Sequence, residues 1–236
     1  MSPWSASRNK MIAWIVLIVL FIVILVSVFF LFYDKIQYLY EKKKHRKRIY
    51  KILHYFAEEE DCYLLNDVKV FLAKDDPEPT CFDHLLFAEK YIYIITDFIA
   101  FGGVYGNVKD ASLFLKKPSG KTVPIPNPII SGKERVRRIE EFINSAHEHK
   151  LFMSMTVYNP SLIVPKGIHI KDGESNFISV KELDETLRSA EKDNVKPMKD
   201  EKTKKLVELL LERSNEIKRS VQNNKKRLLK NSIISK

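Results

Sequence analysis

An aspartate next to a histidine begins the part of this chain that is richest in residues able to do chemistry. Asp83 and His84 are followed by an apolar run that ends at Asp97, and a glycine-rich turn comes next at 101–106. Carboxylates are the ligands that a hard cation such as Mg²⁺ takes. An aspartate beside a histidine also suggests a catalytic dyad. Because successive strand side chains point to opposite faces of a sheet, we expect Asp83 and His84 not to form such a pair.

Predicted strands and helices surround this stretch in a mixed order. Helical spacing of apolar residues predicts a helix over 46–61, and β-branched and aromatic content predicts strands over 62–73, 81–88 and 91–98. The first of these strands has a bend at Asn66-Asp67, and a further strand is predicted near 112–116. The segment 117–128 is rich in Pro and Gly and is predicted to be a loop.

The second half of the chain continues the same mixture. Ser131 and Glu134 fit a capping box that opens a helix, and Ser179 and Glu182 fit another that opens a short helix to Ala190. Strands are predicted at 151–158 and within 161–170, and a last helix begins near Glu201. A helix between sheet strands predicts an α/β fold with a mixed sheet covered by helices.

Five segments, taken in this order, resemble the nuclease-related domain (NERD) family, a branch of the PD-(D/E)xK restriction-endonuclease-like fold. They are "YLLNDVKV", "TCFDHLLFAEKYIYII", "GGVYG", "NPI" and "RRIEEFINSAHEHKLFMSMTVY", and together they extend over roughly residues 46–190. The resemblance implies a restriction-endonuclease-like mixed sheet flanked by helices, and it implies DNA processing as the ancestral activity.

The resemblance also shows where this chain departs from the family pattern. Asp83 and His84 match the family's Asp-His pair, but the glutamate and lysine of its Glu-x-Lys motif fall on Thr96 and Phe98. The acid that precedes the Asp-His pair falls on Cys81. The family tends to have a Gly-Glu pair in its first helix, and no carboxylate lies between residues 46 and 51. Asp83 is therefore the one remaining candidate ligand, and the catalytic motif is degenerate.

Phosphodiester hydrolysis by such a fold requires Mg²⁺ held by hard oxygen ligands. One aspartate and a threonine supply too little negative charge for this, and Phe98 cannot replace a lysine. Asp97 is expected to face away from Thr96 and Phe98, because neighbouring strand residues alternate. A bulge between Ile94 and Phe98 would turn Asp97 inward, and Lys90 or Lys109 would then replace the lysine. No catalytic or metal-binding residue is therefore assigned.

An uncharged run of 23 residues, Met11–Tyr33, is long enough to cross a bilayer core of about 30 Å as a helix. Residues 34–50 carry seven Lys/Arg against two acids, whereas residues 1–10 carry two Lys/Arg. Because the richer flank stays in the cytoplasm, we expect a single-pass cell-membrane protein with a short extracytoplasmic N-terminus, 1–10, and a cytoplasmic domain.

The positive charge of the chain is concentrated outside the predicted domain. Residues 51–212 hold 23 Lys/Arg and 27 Asp/Glu, although the whole chain has a formal net charge of +10. The juxtamembrane segment, 34–50, contains a cluster of candidate contacts for anionic lipid or nucleic acid: Lys42, Lys43, Lys44, Arg46, Lys47 and Arg48. Cys62 and Cys81 match no zinc motif and are expected to be reduced.

The sequence as a whole predicts five parts and favours a non-enzymatic role. After the N-terminus, the span 11–33 and the segment 34–50 comes the NERD-like domain, 51–190, and then a polar linker with a basic C-terminal helix, 191–236. The favoured function is a membrane-anchored binding or scaffold module without a cofactor. Two alternatives stay open: an active DNA nuclease with a rearranged site that needs Mg²⁺, and a module that binds anionic lipid and a protein partner.

Overall fold

The computed structural model describes residues 3–72, 76–143, 152–171, 174–198 and 200–234, and the side chains of all of these except 3–13, 29–34 and 220–234. The chain forms a mixed α/β structure, as predicted. Its helices and strands are, in order, α1 (Pro3–Glu59), β1 (Tyr63–Val70), β2 (Thr80–Phe87), β3 (Ile92–Phe98), β4 (Gly102–Tyr105), β5 (Ser112–Lys116), β6 (Thr122–Pro126), α2 (Pro128–Ile143), β7 (Phe152–Tyr158), β8 (Leu162–Ile163), β9 (Ser175–Ser179), α3 (Leu183–Ala190) and α4 (Asp200–Ile234).

The chain divides into two compact units, residues 1–44 and residues 45–236. The first unit is the N-terminal part of α1. Its large apolar side chains between Trp14 and Val28 are all exposed, with fractions between 44% and 68%. Among the side chains that the structure describes, no helical segment is both long enough and apolar enough to cross a membrane. The ends of the predicted span, 11–13 and 29–33, lie outside those described side chains.

The second unit is built on a five-stranded sheet with the order β1-β2-β3-β7-β9. β1, β2 and β3 are antiparallel neighbours, and β7 and β9 continue the sheet in parallel. The His45–Glu59 part of α1 and α3 pack on one face, where Leu53 and Leu187 join the strand residue Ile95 in a buried cluster. α2 and α4 cover the other face, with Ile139 and Leu210 against the strands. Apolar side chains therefore cover both faces of the central strands, which explains the nearly continuous apolar run of β3.

A second, four-stranded sheet has the order β6-β5-β4-β8. The sequence predicted β5 but placed β4 in a turn and β6 in a loop, and both of these predictions were wrong. Pro124 and Pro126 are accommodated because β6 lies at the edge of its sheet. The N–H groups that prolines lack are not needed for hydrogen bonds to a further strand there. Gly102 has φ 112°, and a Cβ there would lie 1.9 Å from the carbonyl oxygen of Lys116. Glycine is therefore required where β4 approaches β5.

The start of α2 also differs from the sequence-based prediction. The helix begins at Pro128, so the predicted capping pair Ser131 and Glu134 lies inside it. Asn127 caps the helix instead, since its Oδ1 accepts the N–H of Ile129 at 3.0 Å. The same buried amide donates to the carbonyl oxygens of Val108 and Asp110 at 2.9 and 2.8 Å. The "NPI" segment thus links the β4–β5 connection to α2.

Candidate functional site

The candidate site lies on β2 and β3, and the strand register decides which side chains meet there. His84 pairs with Ile95 across β2 and β3, and every residue of β3 from Ile92 to Phe98 pairs in turn with one residue of β7. β3 therefore contains no bulge against β7, and its side chains alternate regularly. Thr96 contacts α2 and Asp97 contacts α1, on opposite faces of the sheet, as the sequence predicted.

Asp83 lies where the alternation of buried and exposed side chains along β1 and β2 shifts by one residue. Leu65 and Val68 belong to the same buried cluster although they are an odd number of residues apart. Between them, Asp67 has a left-handed backbone with φ 53°, which matches the predicted bend in this strand. Asp83 lies opposite this bend, and its Oδ2 accepts the backbone N–H of Asp97 at 3.1 Å. The remaining ligand candidate is therefore tied to the neighbouring strand.

Arg46 places a positive charge among three carboxylates. Its Nη2 forms an ion pair with Asp67 and lies 4.0 Å from Oδ1 of Asp83. Its Nε lies 3.7 Å from Oδ2 of Asp97, a side chain that is only 8% exposed. Burial on its own lowers the pKa of Arg46, but the hydrogen bond to Asp67 and the charges of Asp67, Asp97 and Asp83 outweigh burial, so the pKa is raised. The guanidinium thus offsets one of the three negative charges of this acidic cluster.

The electrostatic state of Asp83 follows from the same arrangement. Burial raises the pKa of its carboxyl group, and the nearby charge of Asp97 raises it further. The N–H of Asp97, together with His84 and Arg46, opposes this shift only in part. Asp83 is consequently a carboxylate whose charge is costly in the folded state.

His84 does not form a dyad with Asp83, which confirms the sequence-based expectation. The imidazole is 2% exposed, and its Nδ1 lies 2.5 Å from Oδ1 of Asn66 on β1. Its Nε2 lies 3.3 Å from Oδ1 of Asp97. His84 therefore lies between β1 and β3 beneath the acidic cluster, and its Nε2 and Oδ1 of Asp97 are close without forming a hydrogen bond.

The two positions on which the resemblance puts a glutamate and a lysine have other contacts. Thr96 accepts a hydrogen bond from Nη1 of Arg135, which α2 projects onto the sheet. Burial lowers the pKa of Arg135, and the charge of Asp83 acts in the opposite direction. Phe98 packs edge-on against Phe177 with ring centroids 5.5 Å apart. A threonine bound by a second arginine and a packed aromatic ring therefore stand where the resemblance puts a glutamate and a lysine.

These residues do not fit a divalent cation. Among the described residues, no group of three or more His, Cys, Asp and Glu side chains is arranged to hold a metal ion. Asp67, Asp83 and Asp97 surround a guanidinium, and Thr96 on the other face is bonded to Arg135. A hard cation would have to displace Arg46 and overcome its repulsion.

Neither arginine was predicted to belong to this site, although the sequence around each one contains a signal. Arg135 lies three residues after Gly132 and four before Ile139, which are both buried. It is therefore a charged residue on the face of α2 that packs against the sheet. Arg46 follows the buried His45 and lies three residues before the buried Ile49. A charged residue at such a position is expected to find a partner.

The other predicted basic contacts lie on the surface. Lys42, Lys43, Lys47 and Arg48 are exposed, as is Lys44, which pairs with Glu41 at 4.0 Å. Arg46 differs from them, because it is half-buried and belongs to the acidic cluster.

Comparison of the chain with protein-family models, with curated proteins and with solved structures found no match. The fold and the geometry of the acidic cluster therefore carry the functional argument.

Proposed function

We propose that the chain is a non-catalytic binding or scaffold module with a restriction-endonuclease-like α/β domain, anchored in the cell membrane with that domain in the cytoplasm. The observation that carries the non-catalytic part is the guanidinium of Arg46 among Asp67, Asp83 and Asp97. A nuclease of this class needs a metal ion that its carboxylates hold and a cation that steadies the attacking water. Here an arginine already lies among the carboxylates and offsets part of their charge.

The experiment that tests this part is a cleavage assay on the purified full chain in detergent. Labelled DNA is incubated with Mg²⁺ or Mn²⁺, and an Asp83→Ala variant is the control for contaminating nuclease. We expect both proteins to give the same background. Cleavage that depends on the cation and disappears with Asp83→Ala would establish the alternative, an active nuclease with a rearranged site.

The membrane part of the proposal rests on the apolar surface of α1. From Trp14 to Val28 the described side chains expose apolar groups all around the helix. The hydroxyl of Ser27 donates to the carbonyl oxygen of Val23 at 2.8 Å, so this polar group has an internal partner. Such a surface is unfavourable in water and is typical of helices in an apolar medium. The basic segment that follows favours a cytoplasmic domain.

The two cysteines allow this orientation to be measured without new mutations. Cys81 is exposed, whereas the Cys62 thiol has its pKa raised to about 12 by burial and by the charge of Glu191. We expect a membrane-impermeant maleimide to label Cys81 only after the cells are permeabilised. Labelling of Cys81 in intact cells would show that the domain has the opposite orientation. Release of the chain from membranes by alkaline carbonate would contradict the membrane anchor.

A further inference from the structure

The second sheet exposes aromatic side chains on the face that does not pack against the core. In β5 the buried residues Leu113 and Leu115 alternate with the exposed Phe114. Phe114 pairs with Tyr105 on β4, and these side chains are 43% and 42% exposed. We define the outer face of the second sheet as Gly103, Tyr105, Phe114, Lys116, Thr122, Pro124 and Ile163.

The two aromatic rings on this face are held in a fixed arrangement. The rings of Tyr105 and Phe114 stack with centroids 5.7 Å apart and an interplanar angle of 20°. The hydroxyl of Tyr105 donates to Oγ1 of Thr122 at 3.1 Å. Fixed rings lose little conformational entropy on binding, so this pair is pre-organised for a planar partner.

A depression and a groove adjoin the stacked pair. Gly103 carries no side chain between Ile163 and Lys116, its partners on the neighbouring strands. Tyr105 also lines a groove of about 370 Å³ together with Asn107, Pro165 and neighbouring loop residues. The stacked rings therefore stand beside open space that a flat group can enter.

Positive charge surrounds this face although the domain is acidic. Residues 102–126 contain four lysines and one aspartate, whereas residues 51–212 contain more acids than bases. Lys116 lies on the face itself, and Lys117, Lys121 and Lys109 are exposed on the connections of the same sheet. Within the described residues none of these four lysines forms an ion pair. The surface thus complements a ligand that is both planar and anionic.

We propose that the outer face of the second sheet binds single-stranded nucleic acid through base stacking on Tyr105 and Phe114 and phosphate contacts with the lysines around them. Unpaired bases offer free faces for stacking, and their phosphates complement clustered lysines. A duplex hides those faces within its own stack. An anionic bilayer shares the charge but has no planar group to match the fixed rings. The inference goes beyond the proposed function and uses neither the acidic cluster nor the membrane anchor.

The experiment compares two strands that carry the same charge. Fluorescein-labelled oligo(dT) and an abasic strand of equal length are titrated into the full chain in neutral detergent, and anisotropy is recorded. Other basic segments of the chain attract both strands alike, so the difference between them isolates stacking. We expect oligo(dT) to bind at least about tenfold more tightly, which corresponds to about 1.4 kcal/mol.

Substitutions assign that difference to the face. Tyr105→Val with Phe114→Val replaces the two rings with a β-branched residue that also favours strands, and it is expected to abolish the difference between oligo(dT) and the abasic strand. Tyr63→Val, on the exposed start of β1, is the matched control and is expected to preserve it. Lys116→Gln with Lys121→Gln should weaken both strands equally and reduce the salt slope by about 1.4.

Two results would overturn the inference. One is equal binding of oligo(dT) and the abasic strand. The other is a Tyr105→Trp variant whose fluorescence, after subtraction of the response that Trp4 and Trp14 give in the unsubstituted chain, changes with anionic vesicles and not with oligo(dT), which would assign the face to lipid. The tryptophan variant keeps an aromatic ring at this position, so it still tests the inference if the valine variants do not fold.

Discussion

Replacing Arg46 by methionine removes the charge that compensates the acidic cluster while keeping an apolar stem of similar length. The variant leaves Asp97, which is 8% exposed, without its nearest cation. It also removes the positive charge 4.0 Å from Asp83. We expect Arg46→Met to lower the stability of the second unit, because buried carboxylates without a partner are unfavourable.

The magnitude follows from the distances and exposures. At an effective dielectric constant of about 20, opposite charges separated by the 3.7 Å between Arg46 and Asp97 attract by about 4 kcal/mol before desolvation. The Arg46 side chain is 37% exposed, so water screens part of this attraction. The ion pair with Asp67 contributes less than about 1 kcal/mol, since Asp67 is 66% exposed. A net loss of about 2 kcal/mol remains, which corresponds to a decrease in Tm of about 4–8 °C.

Thermal unfolding followed by circular dichroism measures this loss, with Arg48→Met as the matched control. Arg48 is exposed on the same helix, so its substitution is expected to change stability by less than about 0.5 kcal/mol. Asp83 already has a raised pKa, and the loss of Arg46 raises it further. The defect should therefore shrink as the pH falls and the carboxyl groups take up protons. Equal Tm values for the two variants at pH 7, or a defect independent of pH, would refute the reasoning.

Three further predictions concern individual side chains. The folded-state pKa of Asp83 is raised, so its charge destabilises the fold above that pKa. Asp83→Asn should therefore raise the Tm at pH 7 and have little effect on the Tm near pH 3. A lower Tm at pH 7 would contradict this. Tyr93→Phe removes a 2.6 Å hydrogen bond to Glu191, whose pKa is raised by burial, and should cost about 1–3 kcal/mol in urea unfolding; a neutral effect would contradict it. A maleimide at pH 7 should modify Cys81 and not Cys62 in the folded chain, and mass spectrometry of the labelled peptides would show equal labelling if the burial of Cys62 were wrong.

The strands that form the site could be predicted because their residue types favour β-strands without reference to distant parts of the chain. Five of the eight residues of β2, and every residue of β3 except Asp97, are β-branched, aromatic or leucine. The bend of β1 was predicted at Asn66-Asp67. The alternation of side chains along β3 was sufficient to place Thr96 and Asp97 on opposite faces. These features depend on neighbours in the sequence, so the sequence alone reveals them.

Two strands, β6 of the second sheet and β9 of the five-stranded sheet, were missed because their determinants are not local. β6 contains two prolines, and only its place at a sheet edge makes them acceptable. β9, Ser175–Ser179, begins with polar residues and was not predicted, yet it is a buried parallel neighbour of β7. Pairing between distant segments overrides local propensity in both strands.

The arginines show the same limitation within the site. Arg46 was predicted to be a surface contact like its basic neighbours, because residues 42–48 form one continuous basic segment. Its contact with Asp97 joins residues far apart in the chain, and only the packing of α1 on β3 brings them together. Charge compensation of this kind cannot be read from spacing along the chain.

Anomalous diffraction from crystals of the full chain soaked in Mn²⁺ tests the central claim most directly. We expect no manganese peak between Asp83 and Asp97, and an Arg46 guanidinium still in contact with Asp67. A manganese ion bound by Asp83 and Asp97, with Arg46 displaced, would contradict the account and restore the nuclease interpretation.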